Sequence, residues 1–131
     1  MKHPAKPEDL ALLFAALADT TRLRLLNLMA GREVCVCYFV EILGQSQPKI
    51  SRHLAYLRRA GIVSARREGK WMHYRIRWPQ DHAAIFMLRA ALTSLAEAPE
   101  MQADIARLEQ TCCVSTTPAV LIAAPQPISF I

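Results

Sequence analysis

The sequence predicts one mainly helical domain with a small β-hairpin, in the order α-α-α-α-β-β-α. Apolar residues recur at helical spacing through most of the first hundred residues, and glycines separate several of the segments. Two short strand-like segments flank a basic turn that contains Gly69. A chain of 131 residues is long enough for one hydrophobic core but too short for two.

The first two helices are predicted between residues 8 and 30. The first covers about Glu8 to Ala18. The second follows Asp19, whose carboxylate is suited to cap it, and stops at Gly31. Apolar residues cover most of the circumference of the second helix, so we expect it to be central and largely buried. The apolar stripe of the first helix consists of Leu10, Leu13, Phe14 and Leu17.

A helix-turn-helix is predicted next. A short third helix runs from about Cys37 to Leu43 and is closed by Gly44. Ser46 is suited to cap a fourth helix, which ends at Gly61. The tight connection between these two helices is typical of a helix-turn-helix. The buried stripe of the fourth helix is predicted to be Ile50, Leu54 and Leu57.

The hairpin is predicted from strands at Ile62–Val63 and Trp71–Ile76, joined by a basic turn over residues 66–70. A helix-turn-helix followed by a basic hairpin is a winged helix. A hairpin that belongs to the core and carries incidental charge is the alternative.

Positive charge is concentrated between Gln45 and Arg77. This segment holds nine Lys and Arg residues and one Glu, a net charge of +8, whereas the whole chain carries +5 and the remainder therefore −3. Such a cluster on a helix-turn-helix favours DNA as the partner, and a solvated charged face is the alternative. The side chains expected to reach bases and phosphates are Gln45, Ser46, Gln47, Lys49, Ser51, Arg52, His53, Arg66, Arg67 and Lys70.

The end of the domain is predicted to mediate dimerisation. A fifth helix from Pro79 to Ala96 is apolar on more than one face, so it has more surface to bury than its own domain offers. A two-fold homodimer would match a palindromic operator. Met101, Ile105 and Leu108 indicate one further short helix.

The chain therefore divides into a domain and a tail. Residues 1–110 are assigned to one DNA-binding and dimerisation domain, with a core from about residue 8 to residue 97. From residue 111 the helical periodicity is lost and three prolines appear, so residues 111–131 are predicted to form a flexible, cysteine-containing tail.

No pattern of a membrane protein or an enzyme is found. No apolar run approaches the ~20 residues that a membrane span needs, and no signal peptide is indicated. We therefore expect a cytoplasmic protein with reduced cysteines. The sequence lacks a C-x-x-C motif, a βαβ pattern, a Gly-rich phosphate loop and a Ser/His/Asp set, so neither an enzyme nor an organic cofactor is expected.

Three segments carry a resemblance to a known family: ALADTTRLRLLNLM, EVCVCYFVEILGQSQPKISRHLAYLRRAGIV and RREGKWMHYRI. Over about residues 10–97 the chain resembles the ArsR/SmtB family of metal-responsive winged-helix repressors. The resemblance implies a homodimer, formed through the first and last helices, that binds double-stranded operator DNA when metal-free. It also implies that an inducer releases the DNA and that the controlled operon confers resistance.

Cys35 and Cys37 resemble the arsenic-type inducer site of this family. Thiolates are soft donors that suit thiophilic ions, and the resemblance implies As(III) or Sb(III) as the inducer. The family motif commonly continues with Asp-Leu and a third cysteine, but this chain has Tyr38, Phe39 and Val40 at those places.

A third thiolate must therefore come from elsewhere if the site holds As(III) by three sulfurs. Cys112 and Cys113 are the remaining thiols, and we expect one of them, from the same or the partner subunit, to complete the site. A site of Cys35 and Cys37 alone is the alternative, and it would suit methylarsenite, which has two exchangeable positions.

Two other switches of the same fold stay open. Zinc held by all four thiolates is one, and a thiol-redox or persulfide-sensing repressor is the other. A zinc site of Asp and His pairs on the last helix is not indicated, because Asp81 and His82 are adjacent and point roughly 100° apart.

Overall fold

A computed structural model describes residues 6–113 and 125–129. Within these residues the chain forms a mostly helical domain with a small antiparallel sheet. In chain order, the elements are α1 (Pro7–Leu17), α2 (Thr20–Met29), β1 (Arg32–Cys35), α3 (Val36–Leu43), α4 (Gln47–Arg59), β2 (Val63–Glu68), β3 (Trp71–Ile76), α5 (His82–Ala96), α6 (Pro99–Cys113) and β4 (Ile128–Ser129).

The first two helices form as predicted. The Asp19 carboxylate accepts a hydrogen bond of 3.0 Å from the backbone amide of Arg22, which satisfies one of the free donors in the first turn of α2. Leu25, Leu26 and Leu28 are fully buried. The prediction that α2 lies at the centre of the core is therefore confirmed.

The helix-turn-helix is formed by α3 and α4. Gly44 ends α3 with a φ of 67°, a left-handed conformation that suits glycine. Ser46 is the N-cap residue of α4 in extended conformation, but its side chain makes no capping hydrogen bond. The predicted buried stripe of α4 is confirmed, since Ile50, Leu54 and Leu57 are all fully buried.

The hairpin of β2 and β3 turns at Gly69, and we call these two strands and their turn the wing. Its register runs from Val63 opposite Ile76 to Glu68 opposite Trp71. The first strand is longer than the predicted Ile62–Val63, because the basic residues that were assigned to the turn continue the strand. Arg66 and Arg67 therefore lie on β2, and only Gly69 and Lys70 remain between the strands.

Two strands were not in the predicted order. β1 pairs antiparallel with β3, with Val34 opposite Tyr74 and Cys35 opposite His73. β4 pairs with β1 on its other side, which gives the sheet order β2-β3-β1-β4. The wing is therefore joined directly to the strand that leads into the cysteine segment.

Two helix boundaries differ from the prediction. α5 begins at His82 and not at Pro79, because the Asp81 carboxylate caps it by accepting from the Ala84 amide at 3.0 Å. The short helix predicted after it is the 15-residue α6, which continues into residues 111–113 of the predicted tail. Residues 114–124 and 130–131 of that tail lie outside the described residues.

α6 packs along α2 and reaches α3. Arg24 donates two hydrogen bonds to the Asp104 carboxylate, at 2.8 and 3.0 Å. Asn27 donates to the carbonyl of Met101 at 3.0 Å, so α6 runs antiparallel to α2. Further along α6, Arg107 donates to the carbonyl of Ile42 near the carboxyl end of α3.

Candidate metal centre and nucleic-acid interface

The thiols of Cys35 and Cys37 lie together where β1 becomes α3. Cys35 is the last residue of β1 and the N-cap of α3, in extended conformation, and Cys37 lies in the first helical turn. This change of direction brings the two Sγ atoms to 3.0 Å. Cys35 is buried and Cys37 is half-buried, so the pair lies at the edge of the core.

The two thiols differ in acidity. A hydrogen bond from the Cys37 thiol lowers the pKa of Cys35 to about 7 against the opposing effect of burial, and the backbone amides of Cys37, Val36 and Met72 lower it further. The same hydrogen bond, together with burial, raises the pKa of Cys37. Cys35 is therefore the more acidic of the two thiols, and Cys37 keeps its proton to higher pH.

This donor set suits a thiophilic ion that binds two sulfurs. Thiolate is the form of cysteine that binds metal, and the lowered pKa of Cys35 favours that form. Among residues 6–113 and 125–129, no group of three or more His, Cys, Asp or Glu side chains is arranged to hold a metal ion. Any third donor to the Cys35–Cys37 pair must therefore come from outside the described side chains of this chain.

The predicted third donors are not brought to the pair by anything described. Cys112 and Cys113 are the last two residues of α6, and their side chains lie outside the described part of the chain. Arg107 fixes α6 at the carboxyl end of α3, whereas the thiol pair is at the amino end.

The residues that depart from the family motif have a structural explanation. Tyr38 and Phe39 are both fully buried in the core, and the rings of Phe39 and Tyr74 lie 6.4 Å apart between centroids. Because α3 packs here against the sheet, these positions favour large apolar rings. Val40, at the place of the third cysteine, is half-buried against the same core.

The predicted DNA contacts on α4 mostly face solvent. Ser46, Gln47, Lys49 and Arg52 are exposed at the amino end of α4, and Ser51 is half-buried. On the wing, Arg67 and Lys70 are exposed, and the Lys70 ammonium lies 5.0 Å from the centre of the Trp71 ring. A basic, solvent-facing helix end and wing tip are therefore present on this chain.

Three predicted DNA contacts have partners within the protein. Gln45 donates to the Thr21 hydroxyl at 3.0 Å. The His53 Nδ1 lies 3.4 Å from the Arg22 guanidinium. Arg66 is paired with Glu33 at 2.6 Å, which ties the wing to β1.

Sequence reasoning missed Arg22. Its guanidinium donates to the carbonyls of Ala16 and Ala15, both at 2.9 Å, and lies 4.2 Å from the centre of the Tyr56 ring. Arg22 thereby joins the end of α1 to α4. No spacing in the sequence marks it, because its partners are backbone carbonyls and a ring more than thirty residues away.

Comparison with known proteins decides the family. A family model described as "Bacterial regulatory protein, arsR family" matches residues 19–65. Over 92 residues the chain is 39% identical to a probable mercury resistance operon repressor of Streptomyces lividans, a match that covers 70% of the chain and 74% of that repressor. This chain belongs to the ArsR family.

Other ArsR-family comparisons agree. The chain is 54% identical over 65 residues to the arsenical resistance operon repressor of Escherichia coli K12, covering 49% of the chain and 56% of that repressor. The chain thus spans about half the length of the arsenical repressors it matches. Among solved structures, the AntR antimony-specific transcriptional repressor superposes with a TM-score of 0.54 at 34% identity, over 69% of this chain and 79% of that one.

The ArsR-family chain also presents large apolar side chains on α1 and α5. Leu12 and Phe14 are exposed on α1, and Phe86 on α5 is 78% exposed, while Ala84 and Leu88 on α5 are buried. The apolar faces of α5 are therefore only partly used within the described part of this chain. Within that part, no helix combines the length and the apolar character needed to cross a bilayer.

Proposed function

We propose that this ArsR-family chain is a homodimeric repressor that binds operator DNA when metal-free. Binding of As(III) or Sb(III) to Cys35 and Cys37 then lowers its affinity for the operator. The observation that carries the proposal is the pair of Sγ atoms 3.0 Å apart at the start of α3, the helix that precedes the recognition helix α4. The relatives named for arsenical resistance and for antimony specificity support the choice of ion.

The proposed DNA contacts follow from the exposed basic and polar side chains of α4 and the wing. The amino end of α4 would enter the major groove, where Gln47 and Arg52 can donate to base edges and Lys49 to phosphate. The wing would place Arg67 and Lys70 on the adjacent backbone. Each phosphate neutralised releases counterions, so the affinity should fall steeply with salt.

The dimer would form through α1 and α5. Leu12, Phe14 and Phe86 offer exposed apolar surface on these two helices, and burying it between two copies removes it from water. A two-fold dimer would place two α4 helices one helical turn of DNA apart, as a palindromic operator needs. Sedimentation of the purified protein should therefore give twice the chain mass.

The inducer would be held by the two thiolates at the start of α3. Trivalent arsenic or antimony is a soft centre that would bind both sulfurs, and the two thiol protons would leave with two of its hydroxide ligands as two waters. Three-sulfur coordination would need Cys112 or Cys113, from the same or the partner subunit. Methylarsenite would need only Cys35 and Cys37, so its potency relative to arsenite in a Cys112→Ser/Cys113→Ser variant distinguishes the two arrangements.

The thiol pair lies next to β3 of the wing and at the start of the helix that precedes α4, so a small displacement of the pair would move both elements that are proposed to contact DNA. Cys35 is paired in register with His73 of the wing, and Cys37 lies in the helix that leads through Gly44 to α4. An inducer that prefers another sulfur arrangement than the metal-free one must shift the end of β1 or the first turn of α3. A coupling of about 2–3 kcal/mol corresponds to roughly 30- to 150-fold weaker operator binding.

A direct test is titration of arsenite, antimonite, methylarsenite, zinc and cadmium against a fluorescent promoter fragment bound by the protein. We expect release by the trivalent arsenicals or antimonite at concentrations where zinc has no effect. A protein that binds no promoter fragment, or whose complex ignores all five compounds, contradicts the proposal.

A thiol-redox switch is the second candidate, and the short Sγ–Sγ distance with a Cys35 pKa of about 7 favours it. Hydrogen peroxide would take two electrons and two protons from the pair, forming one disulfide and two waters. This switch would be identified if peroxide released the DNA, a dithiol restored binding, and arsenite caused no release.

A further inference from the structure

Glu33 is a buried acid that neither the metal site nor the DNA surface uses. It lies on β1, two residues before Cys35, and its side chain is 7% exposed. Its carboxylate accepts a hydrogen bond of 2.6 Å from the guanidinium of Arg66 on β2. That hydrogen bond lowers the pKa of Glu33 in spite of its burial, and the charges of Arg66 and Arg75 lower it further.

Arg66 is paired with two acids and is still partly exposed to solvent. Its side chain is 45% exposed, and a second nitrogen lies 3.3 Å from the Glu68 carboxylate. The next residue along β2 is Arg67, one of the exposed basic side chains of the wing. Arg66 therefore connects the buried strand β1 to the part of the wing that is proposed to touch DNA.

The strand register puts this ion pair beside the thiol site. Cys35 on β1 is opposite His73 on β3, and His73 is opposite Arg66 on β2. Directly opposed residues of antiparallel strands share one face of the sheet, and Glu33 shares that face with Cys35 because side chains alternate along a strand. Cys35, the buried His73 and the Glu33–Arg66 pair therefore occupy neighbouring positions on one face of the sheet.

We propose that the Glu33–Arg66 ion pair couples the thiol site to the wing, so that Glu33 acts as a positioning residue for induction. This inference rests on the proposed function. A displacement of the end of β1 at Cys35 moves Glu33, and the ion pair makes the outer strand of the wing follow. β3 lies between β1 and β2 in the sheet. Without the pair, this direct link from β1 to β2 is lost, and the wing can keep its DNA-bound position when the inducer binds.

A purely structural ion pair elsewhere in the chain provides a matched control. Arg24 and Asp104 are 2.8 Å apart, and the Asp104 side chain is 6% exposed. This pair joins α2 to α6, which carry neither Cys35 and Cys37 nor the wing. Because α6 ends at the candidate third donors Cys112 and Cys113, the arsenite Kd of Asp104→Asn is measured as well. Neutralising Asp104 removes a buried ion pair of similar geometry without touching the proposed connection.

The test compares Glu33→Gln with Asp104→Asn in the full-length protein. The operator Kd is measured by fluorescence anisotropy with and without saturating arsenite, and the arsenite Kd is measured without DNA. We expect the wild-type ratio of operator Kd values to be about 30 or more, and that of Glu33→Gln to fall to about 5 or less. Both separate affinities of Glu33→Gln should stay within about threefold of wild type, and Asp104→Asn should keep the wild-type ratio.

Hydrogen exchange gives a readout that does not depend on DNA. Arsenite should change the exchange of the β2 amides in the wild type and leave them unchanged in Glu33→Gln. Arg66→Gln, altered on the exposed side of the pair, serves as the second variant if Glu33→Gln lowers the folded fraction. The ratio of its operator Kd values with and without arsenite should fall to the same value as in Glu33→Gln. The double variant should show no further fall in this ratio, since both changes break the same connection.

A Glu33→Gln ratio within twofold of wild type, or additive losses in the double variant, would overturn the inference. An equal loss in Asp104→Asn would also overturn it, because the effect would then follow stability and not position. A wild-type protein that does not respond to arsenite would instead refute the proposed function, so the two failures are distinguishable.

Discussion

The packing between α2 and α4 and the packing along the sheet bury different kinds of side chain. Between α2 and α4 the buried residues include Leu25, Leu26 and Leu54, all fully inaccessible. Along the sheet, the buried set includes the polar residues Glu33 and His73 and the thiol of Cys35. Apolar packing gives one rigid arrangement, whereas buried polar groups depend on their partners and respond when a partner changes. We therefore infer that the α2–α4 packing acts as the scaffold and that the buried polar groups of the sheet take part in the proposed switch.

The largest expected effect is on the scaffold. Leu54→Ala removes a fully buried side chain from α4, and we expect the free energy of unfolding to fall by about 2–5 kcal/mol. Leu54→Met, which nearly conserves volume, should cost less than about 1.5 kcal/mol. Urea denaturation measures both.

The comparison predicts that Leu54→Ala leaves induction intact. At a temperature where the variant is folded, its ratio of operator Kd values with and without arsenite should equal that of wild type. A large loss of this ratio would mean that the helical core is part of the switch.

The next effect concerns the DNA surface. Lys49→Ala should weaken operator binding by roughly tenfold at low salt and lower the slope of log K against log salt by about one, if Lys49 neutralises one phosphate. Lys49→Arg keeps the charge and should keep the slope. Anisotropy titrations at several salt concentrations measure this, and an unchanged slope in Lys49→Ala would place this residue off the DNA.

The smallest effect is the titration of the thiol pair. In a Cys112→Ser/Cys113→Ser background, the thiolate absorbance should show one thiolate per chain forming with a midpoint near pH 7, because Cys35 is the acidic member. Cys37→Ala removes the donated hydrogen bond, so the midpoint should rise toward the ordinary value of 9.0. A midpoint that does not move would show that Cys37 is not the cause of the shift.

The sign of the pH effect on stability differs for the two thiols. Folding lowers the pKa of Cys35. The stability that Cys35 contributes to the folded state is therefore fully present above pH 9 and is lost as the pH falls through about 7. Because the Cys37 pKa is raised, its contribution is complete below pH 9 and is lost as the pH rises further. The stabilisation by the pair should therefore be greatest near pH 9.

The helices could be predicted from the sequence more fully than the sheet could. The buried stripe of α4 and the cap at Asp19 follow from local spacing, and both are confirmed. β1 was missed because four residues, Arg32–Cys35, show no periodicity of their own and become a strand only by pairing with β3.

Within the candidate site, Cys35 and Cys37 were predicted from the motif alone, and the structure brings their sulfurs to 3.0 Å. The partners of Arg66 and Arg22 could not be found this way, because they lie about thirty residues away along the chain or are backbone carbonyls. Arg66 was assigned from its charge as a DNA contact, and its pairing with Glu33 depends on a register that no local pattern specifies.

The central claim is that sulfur ligation at residues 35 and 37 weakens operator binding. The most direct measurement compares the wild type with the Cys35→Ser/Cys37→Ser variant, titrating arsenite into each operator complex. The account predicts that both bind the operator with similar affinity and that only the wild type is released. Release of the variant at wild-type arsenite concentrations would contradict it.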